Sequence, residues 1–196
     1  QFIELMGDDP KSFGKWSQSG NRSVAKEKTS ESKKNEPVSP QLIESWHQAL
    51  PQKIRTYLTE ERGISHEVIN HHRIGWYVDS RNIGWISFPA AEEGVYTHVK
   101  LRRDPFDQNQ KPKSKFYPEG SHAGLFGGDL PKDCSEAYIG EGEPDTLLMQ
   151  SLGLVTLTGT AGAKTFKKEW VRKLKKLKKV TVVYDNDRDG RAGSQM

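Results

Sequence analysis

The residues best suited to chemistry are carboxylates gathered in two short segments: Glu141, Glu143 and Asp145 in one, Asp185, Asp187 and Asp189 in the other. Each set follows a short apolar run, Ala-Tyr-Ile-Gly before Glu141 and Val-Thr-Val-Val-Tyr before Asp185. Carboxylates collected at one place repel one another and raise each other's pKa unless a cation is present. Hard ions that prefer oxygen donors, Mg²⁺ or Mn²⁺, are the natural occupants. A pair of such ions ~3.5–4 Å apart can activate an attacking oxygen and stabilise the leaving one in an in-line phosphoryl displacement.

The elements that must position these groups follow from periodicity. Residues 137–140 are too short for a helix, and Gly142 and Pro144 break the run at once. Pro144 suits the first position of a helix that Thr146, Leu147, Leu148, Gln150 and Leu152 continue to a stop at Gly153. Residues 154–158 form a second β-rich run, followed by a small-residue loop, 159–163. Thr165 is placed to cap a helix carrying Phe166, Trp170, Val171, Leu174 and Leu177 at three- and four-residue spacing. The β-branched residues 180–184 give a third strand. Strand, helix, strand, helix, strand predicts a parallel sheet whose ligands sit beyond the carboxyl ends of its strands, where Glu141 and Asp185 both fall.

The pair Glu141-Gly-Glu-Pro-Asp145 and Asp185-Asn-Asp187-Arg-Asp-Gly190, in this order and at a domain-scale interval, resembles the signature of the TOPRIM domain. That domain is shared by bacterial-type (DnaG-like) primases, type IA and II topoisomerases and certain nucleases. The resemblance implies that Glu141 is the acid/base or metal-facing glutamate and that Asp185 and Asp187 are the metal-binding pair. It implies that Asp145 orients the first motif, and that Gly142 and Gly190 let backbone come close to the site. Glu143 and Asp189 occupy positions the pattern leaves variable.

Composition sets the outer bounds. A chain of 196 residues holds one large or two small domains. Hydrophobic content of 33% with mean hydropathy −0.80 leaves part of the chain solvated. Net charge is +4 with a pI near 9.0, and local Lys and Arg clusters favour a polyanionic partner. A single cysteine, Cys134, excludes a disulfide framework or a thiolate zinc site within this chain and fits a reducing cytoplasm. No stretch approaches the ~20 apolar residues of a membrane span, and no signal peptide is evident.

Taken in order, the chain starts at Gln1 rather than methionine, so its true N-terminus is expected elsewhere, and residues 1–7 carry enough apolar side chains to predict a short helix of an upstream module. Residues 8–39 are rich in Lys, Ser, Glu, Asn and Gly and read as a flexible linker, with Phe13 and Trp16 as a small anchoring patch. Ser39-Pro40 opens a helix with the hydroxyl as cap, and Leu42, Ile43, Trp46, Ala49 and Leu50 give its apolar face. Pro51 opens another helix, with Ile54, Tyr57 and Leu58 inward and Gly63 as stop; Ser65 caps a third. Residues 74–78 read as a strand.

Tyr57-Leu58, Glu61-Arg62-Gly63-Ile64-Ser65, Val68-Ile69 and Ile74-Gly75-Trp76 resemble the segment of DnaG-like primases that introduces the basic subdomain preceding TOPRIM. The strand-rich stretch that follows in those proteins has counterparts in residues 85–89 and 95–103. Their Lys-Tyr loop has its counterpart in Lys113-Ser-Lys115-Phe116-Tyr117, with Phe116 inserted between lysine and tyrosine, and residues 124–127 come next. Independently of any family, alternation in a strand from Val95 puts Val95, Thr97, Val99 and Leu101 on one face and Tyr96, His98, Lys100 and Arg102 on the other. Cations for phosphates beside aromatic surface for bases suit single-stranded nucleic acid, although a solvated face of a half-buried sheet has the same pattern. Arg103, Lys113 and Lys115 add to the basic set.

Three features carry less. Thr158-Gly-Thr-Ala-Gly-Ala-Lys164-Thr165 lacks the glycines of a P-loop and reads as a tight strand-to-helix turn near the metal site. The Lys-rich helix 167–179 reads as a solvated face. His71-His72, adjacent on a helix, point apart and do not suggest zinc.

The expected fold is α/β: a Rossmann-like TOPRIM parallel sheet, truncated at its C-terminus, preceded by a smaller α+β basic subdomain. The divisions are 1–38, upstream tail and linker; 39–134, basic subdomain; and 135–196, incomplete catalytic domain. Met196 follows the aspartate motif closely, so the sequence reads as part of a larger protein, with a zinc module plausible upstream, a helicase or helicase-binding domain downstream, and a phage or mobile element as source. The resemblance implies a primase core joining ribonucleotides into primers on single-stranded DNA. Its metal is Mg²⁺ or Mn²⁺ on Glu141, Asp185 and Asp187 with Asp145 in support. Lys100, Arg102, Arg103, Lys113, Lys115, Tyr96 and His98 would meet nucleic acid or nucleotide, and a replicative helicase would partner the chain in cis or in trans. Two alternatives stand: a TOPRIM nuclease or topoisomerase fragment, and a non-catalytic DNA-binding half of a replicative helicase.

Overall fold

Period-two runs in the middle of the chain and alternating strand and helix signals after residue 135 become two sheets. The computed structural model describes residues 3–4, 36–109, 111–162 and 167–193. Three short helical pieces come first: α1 (Pro40–Gln48), α2 (Gln52–Thr56), which runs on into a π-helical turn over Tyr57–Glu61, and α3 (His66–His71). Pro40 starts α1 as expected, but the Ser39 hydroxyl donates to Gln41 Oε1 at 2.7 Å instead of capping the helix. Ser65 does cap α3, its Oγ accepting Val68 N–H at 3.2 Å. Gly63, at φ +68°, adopts the left-handed turn that ends the π-helical segment.

An antiparallel meander follows: β2 (Gly75–Val78), β3 (Gly84–Glu92), β4 (Val95–Arg103) and β5 (Ser114–Tyr117), paired in that order. Glu93 and Gly94, at φ +51° and +78°, form the two-residue turn between β3 and β4, matching the right-handed twist of the strands. β2 lies so close to α1 that a Cβ on Gly75 would fall 2.5 Å from the Trp46 carbonyl carbon.

The second sheet is mixed. Its elements are β1 (Ile3–Glu4), β6 (Leu125–Phe126), β7 (Glu136–Gly140), α4 (Glu143–Ser151), β8 (Thr156–Gly159), α5 (Lys168–Leu174), β9 (Lys179–Val183) and α6 (Arg188–Gly193), with strands in the order β1-β9-β7-β8-β6. The three strands that sequence predicts, β7, β8 and β9, are parallel; the antiparallel β1 and β6 pair at the two edges. Ile3–Glu4 is therefore strand rather than the expected helix, completing its backbone hydrogen bonds on β9. The lysine-rich helix is shorter than its periodicity suggests: Trp170 is 5% exposed, but Val171 is 47% exposed and Leu177 lies beyond the helix end. Thr165 and Phe166, the expected cap and first apolar contact, lie outside the described residues, as do Phe13, Trp16 and the rest of the linker.

Two apolar clusters hold the layers. One joins Ile54, Leu58, Ile64, Ile69 and Ile74 to Ile86, Phe88, Phe126 and Leu147, so the helical segment, the meander and α4 share a core. The other packs Val38, Ile43 and Trp46 on Trp85, Val99 and Leu101. Each such side chain stabilises the fold by ~1.5–3 kcal/mol through burial. Among the described residues no helix is long and apolar enough to cross a membrane.

Candidate active site

β7 is followed in sequence by β8 on one side of it and, through the next crossover, by β9 on the other. Where successive crossovers leave a parallel strand in opposite directions, a crevice opens beyond the carboxyl ends. Gly140 pairs with Val183 at that edge, so Glu141 and Tyr184-Asp185 emerge side by side. Glu141 Oε2 accepts the backbone N–H of Asp185 at 2.8 Å, which closes the crevice from one strand to the next.

The aspartate loop is held by its own backbone. Asp187 Oδ1 accepts Gly190 N–H at 2.8 Å, and Arg191 Nη1 donates to Asn186 O at 2.9 Å. Gly190 is packed so tightly that a Cβ would fall 2.0 Å from the Asp185 carbonyl oxygen. Only a glycine leaves that turn intact. Asp185 and Asp187 stand exposed at the mouth, while Glu141 and Asp145 are half-buried.

Electrostatics show the strain expected of gathered acids. The Glu141 pKa is raised, first by partial burial and then by the charges of Asp185, Asp187 and Asp145, with the Asp185 N–H opposing. Asp145 is raised by burial, against the pull of Arg62 and Arg102. The Arg62 guanidinium meets Asp145 Oδ1 at 3.3 Å, tying the end of the π-helical turn to α4. Glu143, 4% exposed, is raised by burial and opposed by Lys100 and Arg102. Tyr184 is also raised, by burial and by the Glu141 charge.

Among the described residues, no group of three or more His, Cys, Asp and Glu is arranged as a ready-made metal cage. The donor set is nevertheless all hard oxygen, and its mutual repulsion at Glu141 is of the kind a divalent cation relieves. By that chemistry the residues fit Mg²⁺ or Mn²⁺.

The basic residues divide. Arg102 is exposed, with Nη1 3.9 Å from where a Cβ on Gly142 would sit, so it lies at the carboxylate edge. Lys100 donates to Thr160 O at 2.5 Å, just beyond β8, and its charge reaches Glu143. His98 is 1% exposed rather than on an open face: its Nε2 contacts Thr160 Oγ1 at 3.0 Å, because the second sheet covers that side of β4. Arg103 is 7% exposed and serves its own loop, with Nη2 2.7 Å from Asp107 Oδ2 and Nη1 donating to Lys111 O at 2.8 Å. Lys115 Nζ lies 2.7 Å from buried Asp79 and 4.2 Å from the centre of the Trp85 ring. Tyr96 packs against the cluster built on Val38 and Trp46, and Lys113 is exposed.

Sequence reasoning assigned no role to Arg62 or Thr160. The Gly63 stop directly after Arg62, which frees the arginine from the helical run, was the signal for the first. Nothing in the sequence pointed to the second.

No family model matches the chain, and no curated protein matches it. Among solved structures it is similar to the Aquifex aeolicus primase zinc-binding and RNA polymerase domains: TM-score 0.66, 19% identity, 79% of this chain and 48% of that one. It is similar to the DnaG primase catalytic domain bound to single-stranded DNA, at TM-score 0.60 and 19% identity, covering 79% and 62%. It is also similar to the Escherichia coli primase catalytic core, at TM-score 0.58 and 19% identity, covering 79% and 63%. The chain has the fold of bacterial primase catalytic cores and spans 48% to 63% of the three chains named.

Proposed function

We propose that this chain is a DNA primase core that joins ribonucleotides into short primers on single-stranded DNA by metal-dependent nucleotidyl transfer. The observation that carries the reading is the hydrogen bond from Asp185 N–H to Glu141, which gathers both acidic motifs at the switch point of a primase-type fold. That one neighbour of this fold is described as bound to single-stranded DNA supports the choice of template.

In this reading the 3′-hydroxyl oxygen of the growing strand bonds to the α-phosphorus of the incoming ribonucleoside triphosphate. The bond from that phosphorus to its bridging oxygen breaks, and pyrophosphate leaves with the electron pair. Glu141, its pKa raised by burial, suits the acceptance of the hydroxyl proton. Asp185 and Asp187, with Glu141 and supported by Asp145, would hold Mg²⁺ or Mn²⁺. When bound, the ion supplies charge stabilisation to the attacking and leaving oxygens. Arg62 fixes Asp145, Gly142 and Gly190 keep the backbone close to the site, and Arg102 offers a cation to phosphate at the same edge.

Residues 39–134 serve as the basic subdomain and residues 135–196 as the catalytic one, with Leu125–Phe126 crossing over to pair with β8. Lys113 remains a phosphate contact; Lys115 acts by anchoring β5 through Asp79. The setting is cytoplasmic, beside a replicative helicase in cis or in trans. Incorporation of labelled ribonucleotides on a single-stranded template tests the proposal. Short products that disappear in Glu141→Gln and Asp187→Asn support it; strand nicking without synthesis overturns it.

A further inference from the structure

Phe106 is an aromatic ring held in the open by a built loop. It follows the end of β4 and is 42% exposed. Its loop is pinned: Phe106 N–H donates to Asp104 Oδ1 at 2.9 Å, Asp107 N–H donates to Asp104 O at 3.1 Å, and buried Arg103 grips the Asp107 carboxylate at 2.7 Å. The core does not need this ring, because much of its surface stays in water. The ring meets two side chains from the helical segment. Tyr57 approaches edge-on with centroids 5.8 Å apart, and Lys53 Nζ lies 3.7 Å from the ring centre.

Such a group offers both things that a single strand presents, a flat base to stack and a phosphate to pair. The neighbouring carboxylates of Asp104 and Asp107 are engaged within the loop, while Lys53, Lys111 and Lys113 are exposed. Tyr57 also opens the π-helical turn, whose closing bond runs from Arg62 N–H to Tyr57 O at 3.1 Å. Interruptions of this type concentrate at functional positions. Arg62 in turn reaches Asp145. One turn of chain therefore connects the aromatic pair to the carboxylate edge.

We propose that Phe106, Tyr57 and Lys53 form a stacking site for one base of a single-stranded nucleic acid, whose backbone continues past Arg62 toward the carboxylates. This rests on the primase reading and adds to it a contact for the template strand. A duplex keeps its bases stacked on one another and would gain only phosphate contacts here.

Fluorescence anisotropy on the full chain, without nucleotides, tests it. The probes are a labelled oligothymidylate of about twelve nucleotides, within the ~4–16 of a single-strand site, and an abasic strand of equal length. Phe106→Ala is expected to weaken binding to oligothymidylate about tenfold, the scale of one lost stack, and binding to the abasic strand by less than about twofold. Phe106→Trp restores the wild-type preference. Equal loss on both strands, no loss on either, or no binding of oligothymidylate by the wild-type chain overturns the stacking site. The binding assay contains no nucleotides, so its result does not depend on whether the chain makes primers. Binding that behaves as expected beside a chain that makes no primers would thus count against the primase reading alone.

Discussion

The Glu141 carboxylate accepts the Asp185 backbone N–H at 2.8 Å, a bond between residues that stand 44 apart in sequence and at the ends of neighbouring strands. The bond holds the crevice closed while the charge on Glu141 remains unrelieved. Glutamine keeps an acceptor oxygen at the same place and removes the charge. Glu141→Gln should therefore unfold within about 0.5 kcal/mol of the wild type and lose primer synthesis by roughly 10²-fold or more. Glu141→Ala, which leaves the N–H without its partner, should cost about 1 kcal/mol. Thermal unfolding beside the incorporation assay separates the two.

Arg62 bridges to Asp145 with both side chains well exposed, 39% and 46%. An ion pair so open to water contributes ~0–1 kcal/mol. Arg62→Ala should leave the unfolding temperature nearly unchanged and lower synthesis by about tenfold, with Arg62→Lys restoring only part. Denaturant midpoints together with initial rates check this.

His98 is the clearest source of pH dependence. Burial, with Lys100 and Lys167 nearby, lowers its pKa from 6.5 to about 4. The folded chain accepts the neutral ring and the unfolded chain takes up the proton first, so this contribution is complete above about pH 6.5 and is lost as the pH falls toward 4. Its slope is ~1.4 kcal/mol per pH unit. His72, buried and likewise near 4, adds a second contribution of the same sign. Urea titrations between pH 7.5 and 4.5 should show the steeper loss in the wild type, with His98→Gln flatter by about one such slope.

Asp79 also loses its contribution as the pH falls, but at lower pH and because its charged form is the favoured one. The Lys115 ammonium, first among its causes, holds its pKa far below the usual range, with help from the Ile83 and Arg81 N–H groups and the Trp85 indole. Its contribution is intact above about pH 4 and is lost only as the pH falls below that. At pH 7, Asp79→Asn removes the charged partner of Lys115, whose side chain is 31% exposed, and should cost ~1–3 kcal/mol. The difference from the wild type should shrink as both are titrated toward pH 2.

The acid edge was legible because local signals agreed: a short apolar run marked β7, a β-branched run marked β9, Gly142 and Pro144 marked the break after the first, and the carboxylates followed directly. The edge strands were less so. Ile3–Glu4 has no period that separates strand from helix, and only its pairing with β9 decides the matter. Alternation along β4 holds from His98 to Arg102, but a bulge at Thr97 turns Tyr96 onto the face of Val99 and Leu101, and alternation carries no information about what covers a face. That is why His98 was read as open when Thr160 lies against it. The roles of Arg62 and Lys115 were hidden for the same reason, since each depends on a partner distant in sequence, Asp145 or Asp79.

The most direct test is Mn²⁺ binding, followed through the electron paramagnetic resonance signal of the free ion. The account predicts that the wild-type chain withdraws Mn²⁺ from solution and that Asp185→Asn with Asp187→Asn weakens this at least about tenfold, while oligothymidylate binding persists. Equal Mn²⁺ affinity in the wild type and the double variant would contradict it.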